Sequence, residues 1–223
     1  MNRPRPRRRT VITASIVAVC LAALGVFVVL EVRSSPDVSA SSGADDPRIV
    51  RPNSHVLQQG PEDGPVLVEF LDFECEACGA LYPAIEQLRQ DFAGQVTFVI
   101  RYFPLPGHLN SRNAAHAVEA AARQGQLEAM YSMMFETQAS WGESQDDQSP
   151  LFRTYAQQIG LDMAQFDQDV ASPEVAARVE ADFQDAQSLG LSGTPSLFLD
   201  GETLQPRTMG DFTNALERAV AGG

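Results

Sequence analysis

The chain has 223 residues, a hydrophobic fraction of 44% and a formal net charge of −13 at pH 7. This apolar content supports a substantial core, which excludes a disordered chain. Residues 1–30 contain five arginines and no acid, so the rest of the chain carries eleven arginines against all 29 acids. Such an acidic body should be repelled by nucleic acid, and no basic stripe suggests a nucleic-acid partner.

The first predicted element is a membrane-spanning helix at residues 11–30, preceded by a basic cytoplasmic tail at residues 1–10. Residues 11–30 carry no charge, and a helix of about 20 residues crosses the hydrocarbon core of a bilayer. The arginines of the tail predict a cytoplasmic N-terminus and an extracytoplasmic body. A single-pass anchor is favoured over a signal peptide, whose apolar core is shorter. Cleavage near Ala40 is the alternative and would give a secreted protein.

Residues 31–58 are predicted to be an extracytoplasmic tether and N-terminal extension, because Ser, Asp and Pro are frequent in the first part of this segment. The folded domain is predicted at residues 59–220. It starts with a buried strand at residues 65–73, a helix at 78–94 and a second strand at 95–105. This succession predicts a βαβ unit with parallel strands.

Helical patterns then dominate residues 111–190. A strand pattern returns at residues 195–204, and an amphipathic helix closes the chain at residues 210–220. The fold class is therefore α/β, with a small core that is interrupted by a helical insertion at about residues 111–190.

Cys75 and Cys78 are the two cysteines outside the predicted membrane helix. A structural zinc site needs about four ligands, and the three histidines of the chain are scattered. A disulfide that closes so short a loop contributes little stability. At a strand-to-helix junction, Cys75 is predicted to lie at the helix N-terminus, where the macrodipole stabilises a thiolate, and Cys78 is predicted to face the core. Thiol–disulfide exchange is favoured, with a metal site and a structural clip as alternatives.

Two motifs resemble the thioredoxin superfamily, VEFLDFECEAC at residues 68–78 and GTPSLFLDG at residues 193–201. The helical insertion between them and the export segment resemble the DsbA branch. The stretch RYFPLPGHLNSRNAAHAVEAAARQGQ at residues 101–126 is similar to DsbA-like proteins of Gram-positive, actinobacterial-type organisms. The resemblance implies a thioredoxin-like fold with an inserted helical domain, preceded by one N-terminal transmembrane helix.

The resemblance also implies roles for individual residues. Cys75 matches the exposed, nucleophilic cysteine of the family and Cys78 the buried one. Thr194 and Pro195 match the loop whose cis-proline packs beside the disulfide and whose backbone pairs with the substrate chain. A cis bond before proline is energetically accessible.

Glu69 matches the buried acid beneath the active site of DsbA enzymes. It is also the only charged residue within residues 65–71. A buried carboxyl group has a raised pKa and could exchange a proton with Cys78. Asp72 and Glu74 are instead expected at the protein surface.

The chain departs from strongly oxidising DsbA enzymes in the dipeptide between the cysteines, which is Glu76-Ala77 here instead of Pro-His. The Glu76 carboxylate is expected to disfavour the Cys75 thiolate, with no imidazole to oppose it. A less stabilised thiolate makes a weaker oxidant. This dipeptide therefore leaves the direction of electron flow open.

The predicted function is an extracytoplasmic thiol:disulfide oxidoreductase that introduces disulfides into exported proteins. A reductase with the same fold is one alternative, and a non-catalytic binding or scaffold module is another. The resemblance implies a membrane-bound, quinone-linked re-oxidant of the DsbB or vitamin K epoxide reductase type. No cofactor is expected, because the disulfide itself carries two electrons.

Overall fold

The structure is a computed structural model that describes residues 46–222. The predicted basic tail, the predicted membrane helix and most of the predicted tether lie outside the described residues. Among the helices within residues 46–222, none has both the length and the apolar character that crossing a membrane requires.

Within residues 46–222, five strands form one sheet. They are β1 (His55–Gln58), β2 (Val66–Leu71), β3 (Thr97–Tyr102), β4 (Ser196–Leu199) and β5 (Glu202–Leu204). Their order across the sheet is β1-β3-β2-β4-β5. Strands β2 and β3 are parallel, and the other neighbours are antiparallel.

The predicted βαβ unit is confirmed. Helix α1 (Glu76–Asp91) connects β2 to β3, and the two strands pair from Val66 opposite Thr97 to Leu71 opposite Tyr102. Every residue of β3 is buried, because apolar clusters cover both faces of the sheet. Central strands covered on both sides read as continuous apolar runs, which is why these two were recognisable in the sequence.

The predicted insertion at residues 111–190 is helical, as expected. Helix α2 (Ser111–Ala122) is rich in alanine and packs against the other four α-helices of the insertion, because short side chains let helix axes approach closely. The helices after α1 are α2 (Ser111–Ala122), α3 (Leu127–Glu136), α4 (Ser149–Gln158), α5 (Met163–Val170), α6 (Pro173–Ser188) and the C-terminal α7 (Met209–Gly222).

The strand pattern at residues 195–204 forms a hairpin of two strands, β4 and β5. The connecting residues Asp200 and Gly201 have φ values of 49° and 79°. An Asp-Gly pair adopts this left-handed backbone readily and joins antiparallel strands. The hairpin extends the sheet beyond β4, next to β2.

The folded domain begins before residue 59, where the sequence placed its boundary. Strand β1 pairs with β3, and Ile49 is buried. The buried guanidinium of Arg101 donates to the Ile49 carbonyl at 2.8 Å, to Asp182 at 2.7 Å and to Asp185 at 2.6 Å. A buried charge is tolerated only with such partners, so this network fastens the N-terminal segment to β3 and α6.

Aromatic side chains join the insertion to the end of β2. The Phe73 ring lies 5.1 Å from Phe135 and 6.2 Å from Tyr131, both on α3. Tyr82 of α1 stacks on Phe135 at 5.3 Å. Phe73 is therefore a core residue, and α3 packs beside the first turns of α1.

Candidate active site

Cys75 occupies the N-cap of α1, as predicted. Its backbone is extended, with φ −67° and ψ 119°, and the helix begins at Glu76. The Cys75 N–H donates to the Asp72 carbonyl at 3.1 Å, and the Cys75 carbonyl accepts from the Gly79 N–H at 3.1 Å. An N-cap side chain faces the free N–H groups of the first helical turn, which favours negative charge there.

The surroundings lower the pKa of Cys75 from 9.0 to about 5. Hydrogen bonding from the Cys78 thiol is the largest cause and is opposed by burial. Thr194 and the backbone N–H groups of Ala77 and Cys78 lower the pKa further. Cys75 is thus a thiolate at neutral pH in the reduced protein.

Cys78 faces the core, as predicted, and is 1% exposed. Burial raises its pKa well above 9.0, and the Cys75 and Glu69 side chains raise it further. One thiol of the pair is therefore ionised and the other protonated. Cys75 itself is only 8% exposed, so the resemblance to an exposed cysteine needs correction. Only a small fraction of the surface of Cys75 is accessible to solvent.

Glu69 lies in the middle of β2, paired with Ile100 on β3 and Leu197 on β4. It is 4% exposed, which confirms the predicted burial. Burial raises its pKa from 4.5 to about 8, and the negative charges of Cys75 and Glu86 add to the rise. Glu69 is therefore a neutral acid at pH 7, in electrostatic contact with the cysteine pair.

The Thr194–Pro195 peptide bond is cis. Pro195 immediately precedes β4, which pairs with β2 in antiparallel register, so this loop lies at the end of β2 where the cysteines follow. Cys75 Sγ lies 3.4 Å from the Thr194 carbonyl oxygen, to which it donates when the thiol is protonated. The structure therefore brings together the two motifs that are distant in sequence.

The Glu76-Ala77 dipeptide does not prevent stabilisation of the Cys75 thiolate. Both residues are exposed, and Glu76 is not among the main groups that shift the pKa of Cys75. Solvent screens an exposed charge strongly, whereas the hydrogen bonds to Cys75 are short-range and partly buried. The thiolate is stabilised in spite of the dipeptide.

The expected surface location of Asp72 and Glu74 was also wrong, since each is 1% exposed. Asp72 accepts from the Glu74 N–H at 2.9 Å, the Leu105 N–H at 2.8 Å and His108 Nδ1 at 2.6 Å. Glu74 accepts from the Asn110 N–H at 2.6 Å. The two carboxylates thus connect the cysteine turn to the segment after β3 through hydrogen bonds.

No motif in the sequence points to Gln138. Its side-chain amide donates to the Phe73 carbonyl at 2.7 Å and to the Cys75 carbonyl at 2.9 Å. Gly79 leaves room for it, because a Cβ at that position would lie 2.0 Å from Gln138 Oε1. A side chain from the insertion therefore supports the backbone around the nucleophile position.

Metal binding is the alternative chemistry for the cysteine pair. Within residues 46–222, no group of three or more His, Cys, Asp or Glu side chains is arranged to hold a metal ion. His55 and His108 contact carboxylates, Glu119 at 2.5 Å and Asp72 at 2.6 Å respectively.

A family model described as "Thioredoxin" (Thioredoxin_4) matches residues 52–218 of the chain. Among solved structures, a thioredoxin-like oxidoreductase from Silicibacter pomeroyi DSS-3 is 29% identical, with a TM-score of 0.63, covering 82% of this chain and 99% of that one.

Two more distant structures share the fold. The thiol-disulfide exchange protein alpha-DsbA2 from Wolbachia pipientis is 21% identical, with a TM-score of 0.64, over 77% of this chain and 90% of its own. MdbA, a thiol-disulfide oxidoreductase from Corynebacterium diphtheriae, is 19% identical, with a TM-score of 0.61, over 74% and 89% respectively.

Curated relatives include the Na(+)/H(+) antiporter NhaA 1 of Mycobacterium sp. (strain KMS), 39% identical over 160 residues. This alignment covers 70% of the present chain and 25% of the antiporter, so the chain spans about a quarter of that relative. With the family model matching residues 52–218 and solved neighbours of the DsbA type, the chain belongs to the thioredoxin family and has the fold of DsbA-type thiol–disulfide oxidoreductases.

Proposed function

We propose that the chain is an extracytoplasmic thiol:disulfide oxidoreductase that introduces disulfides into exported proteins. The observation that carries this proposal is the position of Cys75 at the N-cap of α1, beside the buried Cys78 and the cis Thr194–Pro195 bond. These surroundings lower the pKa of Cys75 to about 5 and raise that of Cys78. A stabilised thiolate favours the reduced form of the pair and so makes its disulfide a better oxidant. This pattern also favours the oxidase over the reductase alternative.

The reaction begins with the Cys75–Cys78 disulfide. A substrate thiolate attacks Cys75 Sγ, since Cys75 is the more accessible sulfur, at 8% exposure against 1% for Cys78. A bond forms between the substrate sulfur and Cys75, and the Cys75–Cys78 bond breaks. Cys78 leaves with the electron pair as a thiolate.

Glu69 is the proposed proton donor to that leaving thiolate. It is protonated at neutral pH, and the pKa of Cys78 lies above that of Glu69, so the transfer from carboxyl to thiolate is downhill. Glu69 then recovers a proton from solvent. In re-oxidation, the same carboxylate would accept the proton of Cys78.

A second substrate thiolate completes the reaction. It attacks the substrate sulfur of the mixed disulfide, and Cys75 leaves as a thiolate of low pKa, which is a good leaving group. Two substrate thiols become one disulfide, and the pair of Cys75 and Cys78 takes up two electrons. The Thr194–Pro195 loop beside Cys75 is the proposed site for the substrate backbone.

An oxidative folding assay tests the proposal. The oxidised full-length chain is mixed with reduced, unfolded ribonuclease A, and the free thiols of ribonuclease A alone are counted over time by alkylation and mass spectrometry. We expect two substrate thiols to be consumed for each chain and none with Cys75→Ser. No loss of substrate thiols with the wild-type chain would contradict the proposal and favour a binding module.

We further propose that residues 11–30 anchor the protein in the cell membrane, with the N-terminus in the cytoplasm and the active site outside. A quinone-linked membrane protein of the DsbB or vitamin K epoxide reductase type would then re-oxidise the pair. Support comes from the uncharged segment and the arginines before it. Labelling Cys75 with a membrane-impermeant maleimide in intact cells, after reduction of the Cys75–Cys78 disulfide, tests the topology, and labelling only after lysis would contradict it.

A further inference from the structure

His108 lies in a cluster of acidic groups next to the cysteine turn. Its Nδ1 is 2.6 Å from Asp72 Oδ2, and its Nε2 is 3.9 Å from Glu143 Oε1 in the segment before α4. The His108 side chain is 20% exposed, whereas the Asp72 side chain is fully buried. The imidazole thus lies between the buried Asp72 carboxylate and solvent.

The cluster is connected directly to Cys75. The Asp72 carbonyl accepts the Cys75 N–H at 3.1 Å, and one Asp72 carboxylate oxygen accepts the Glu74 N–H at 2.9 Å. The other carboxylate oxygen is hydrogen-bonded to His108 Nδ1. Asp72 therefore links the imidazole to the backbone turn that places Cys75 at the N-cap.

The charges around this turn are predominantly negative. Asp72 and Glu74 are buried beside Cys75, which is itself negative when reduced. The dipeptide between the two cysteines contributes a carboxylate and a methyl group and no cation. A positive charge at this place would offset both the carboxylates and the thiolate.

We propose that His108 is a positioning residue of the exchange reaction: held by Asp72, its protonated imidazole orders the cysteine turn and stabilises the Cys75 thiolate. The inference rests on the proposed function of the Cys75–Cys78 pair. Its consequence is a disulfide whose oxidising strength depends on the protonation of His108 and therefore on pH.

The titration behaviour of His108 agrees with this role. Burial lowers its pKa, but the hydrogen bond to Asp72 and the negative charges of Asp72, Cys75 and Glu74 outweigh burial and raise it above 6.5. Coupling between two titrating groups is reciprocal. If the Cys75 thiolate favours the imidazolium, then the imidazolium favours the Cys75 thiolate by the same free energy.

The direction of the pH effect follows from the sign of that coupling. Below the pKa of His108 the imidazolium is present, the thiolate is stabilised and the disulfide is a stronger oxidant. Above it, neutral His108 leaves the carboxylates of Asp72, Glu74 and Glu143 uncompensated. The contribution of His108 to oxidising strength is then lost.

The first test compares the full-length wild-type chain with His108→Gln, using the ultraviolet absorbance of the thiolate and equilibration with glutathione. We expect a higher Cys75 pKa and an equilibrium constant for reduction by glutathione that falls about three- to ten-fold. His108→Lys should retain most of the wild-type behaviour, because it keeps a positive charge. His116→Gln, on α2, is the matched control and should change neither quantity.

An unchanged Cys75 pKa in His108→Gln would overturn the inference. A wild-type chain with neither a Cys75 thiol of lowered pKa nor an equilibrium with glutathione would instead overturn the proposed function, so the two failures are distinguishable.

A second test needs no variant and remains decisive if His108→Gln fails to fold. The pKa of His108 is measured by nuclear magnetic resonance in the reduced and the disulfide forms of the full-length chain. Because only the reduced form carries the Cys75 thiolate, we expect the higher His108 pKa in that form. Equal values in the two forms would overturn the coupling.

Discussion

Replacing Glu69 by glutamine should stabilise the reduced protein by an amount that grows with pH. The folded chain keeps a proton on Glu69 up to about pH 8, whereas the unfolded chain releases it near pH 4.5. Between these values the folded state binds the extra proton, so the free energy of unfolding falls as pH rises. At about 1.4 kcal/mol per pKa unit, the loss is about 3 kcal/mol at pH 7 and about 4 kcal/mol at pH 8.

Glutamine has nearly the shape of the protonated carboxyl group and does not titrate. Glu69→Gln should therefore lack this loss, while its difference from the wild type should be small near pH 4.5, where the unfolded carboxyl group begins to ionise. Glu62→Gln is the matched control, because Glu62 is an exposed acid before β2. It should give no such pH-dependent gain.

Urea unfolding of the reduced full-length chain at several pH values measures the effect. The single tryptophan, Trp141, is 1% exposed and reports the loss of the core by fluorescence. The difference in free energy between Glu69→Gln and the wild type should rise steadily from pH 4.5 to pH 8. A difference that stays constant with pH would refute the assignment of Glu69 as a buried neutral acid.

Three further variants test the contacts that support the site and the buried Arg101 network. Gln138→Ala removes two hydrogen bonds to the cysteine turn and should destabilise the protein by about 1–3 kcal/mol in urea unfolding. Gly79→Ala should displace the same side chain, so it should lower the free energy of unfolding only slightly more when Gln138→Ala is already present. Fully additive losses of free energy would refute the coupling of the two residues. Asp182→Ala leaves the buried Arg101 short of one carboxylate and should cost about 3–5 kcal/mol by the same measurement, and a loss below about 1 kcal/mol would contradict the account of the network.

Much of the fold was predictable because its signals are local. The continuous apolar runs predicted β2 and β3, and the spacing of apolar residues between them predicted α1. The pair of cysteines at that junction gave the N-cap position of Cys75. The second strand of the C-terminal hairpin was missed, although the Asp200-Gly201 pair carried the signal for it.

The supporting contacts of the site were not predictable, because they join segments far apart in the chain. Asp72 and Glu74 looked like surface acids, since only the segment after β3 supplies their buried hydrogen-bond donors. Gln138 reaches the Cys75 carbonyl from 63 positions along the chain. His108 was seen as one of three scattered histidines, and its significance depends on the turn that places it against Asp72.

The reduction potential of the Cys75–Cys78 pair, measured by equilibrating the full-length chain with glutathione buffers, tests the central claim most directly. A Cys75 pKa of about 5 lies between those of thioredoxin, about 7, and DsbA, about 3.5. The potential should accordingly lie between about −270 mV and about −120 mV, which is more oxidising than thioredoxin. A potential at or below about −270 mV would contradict an oxidase and indicate a reductase.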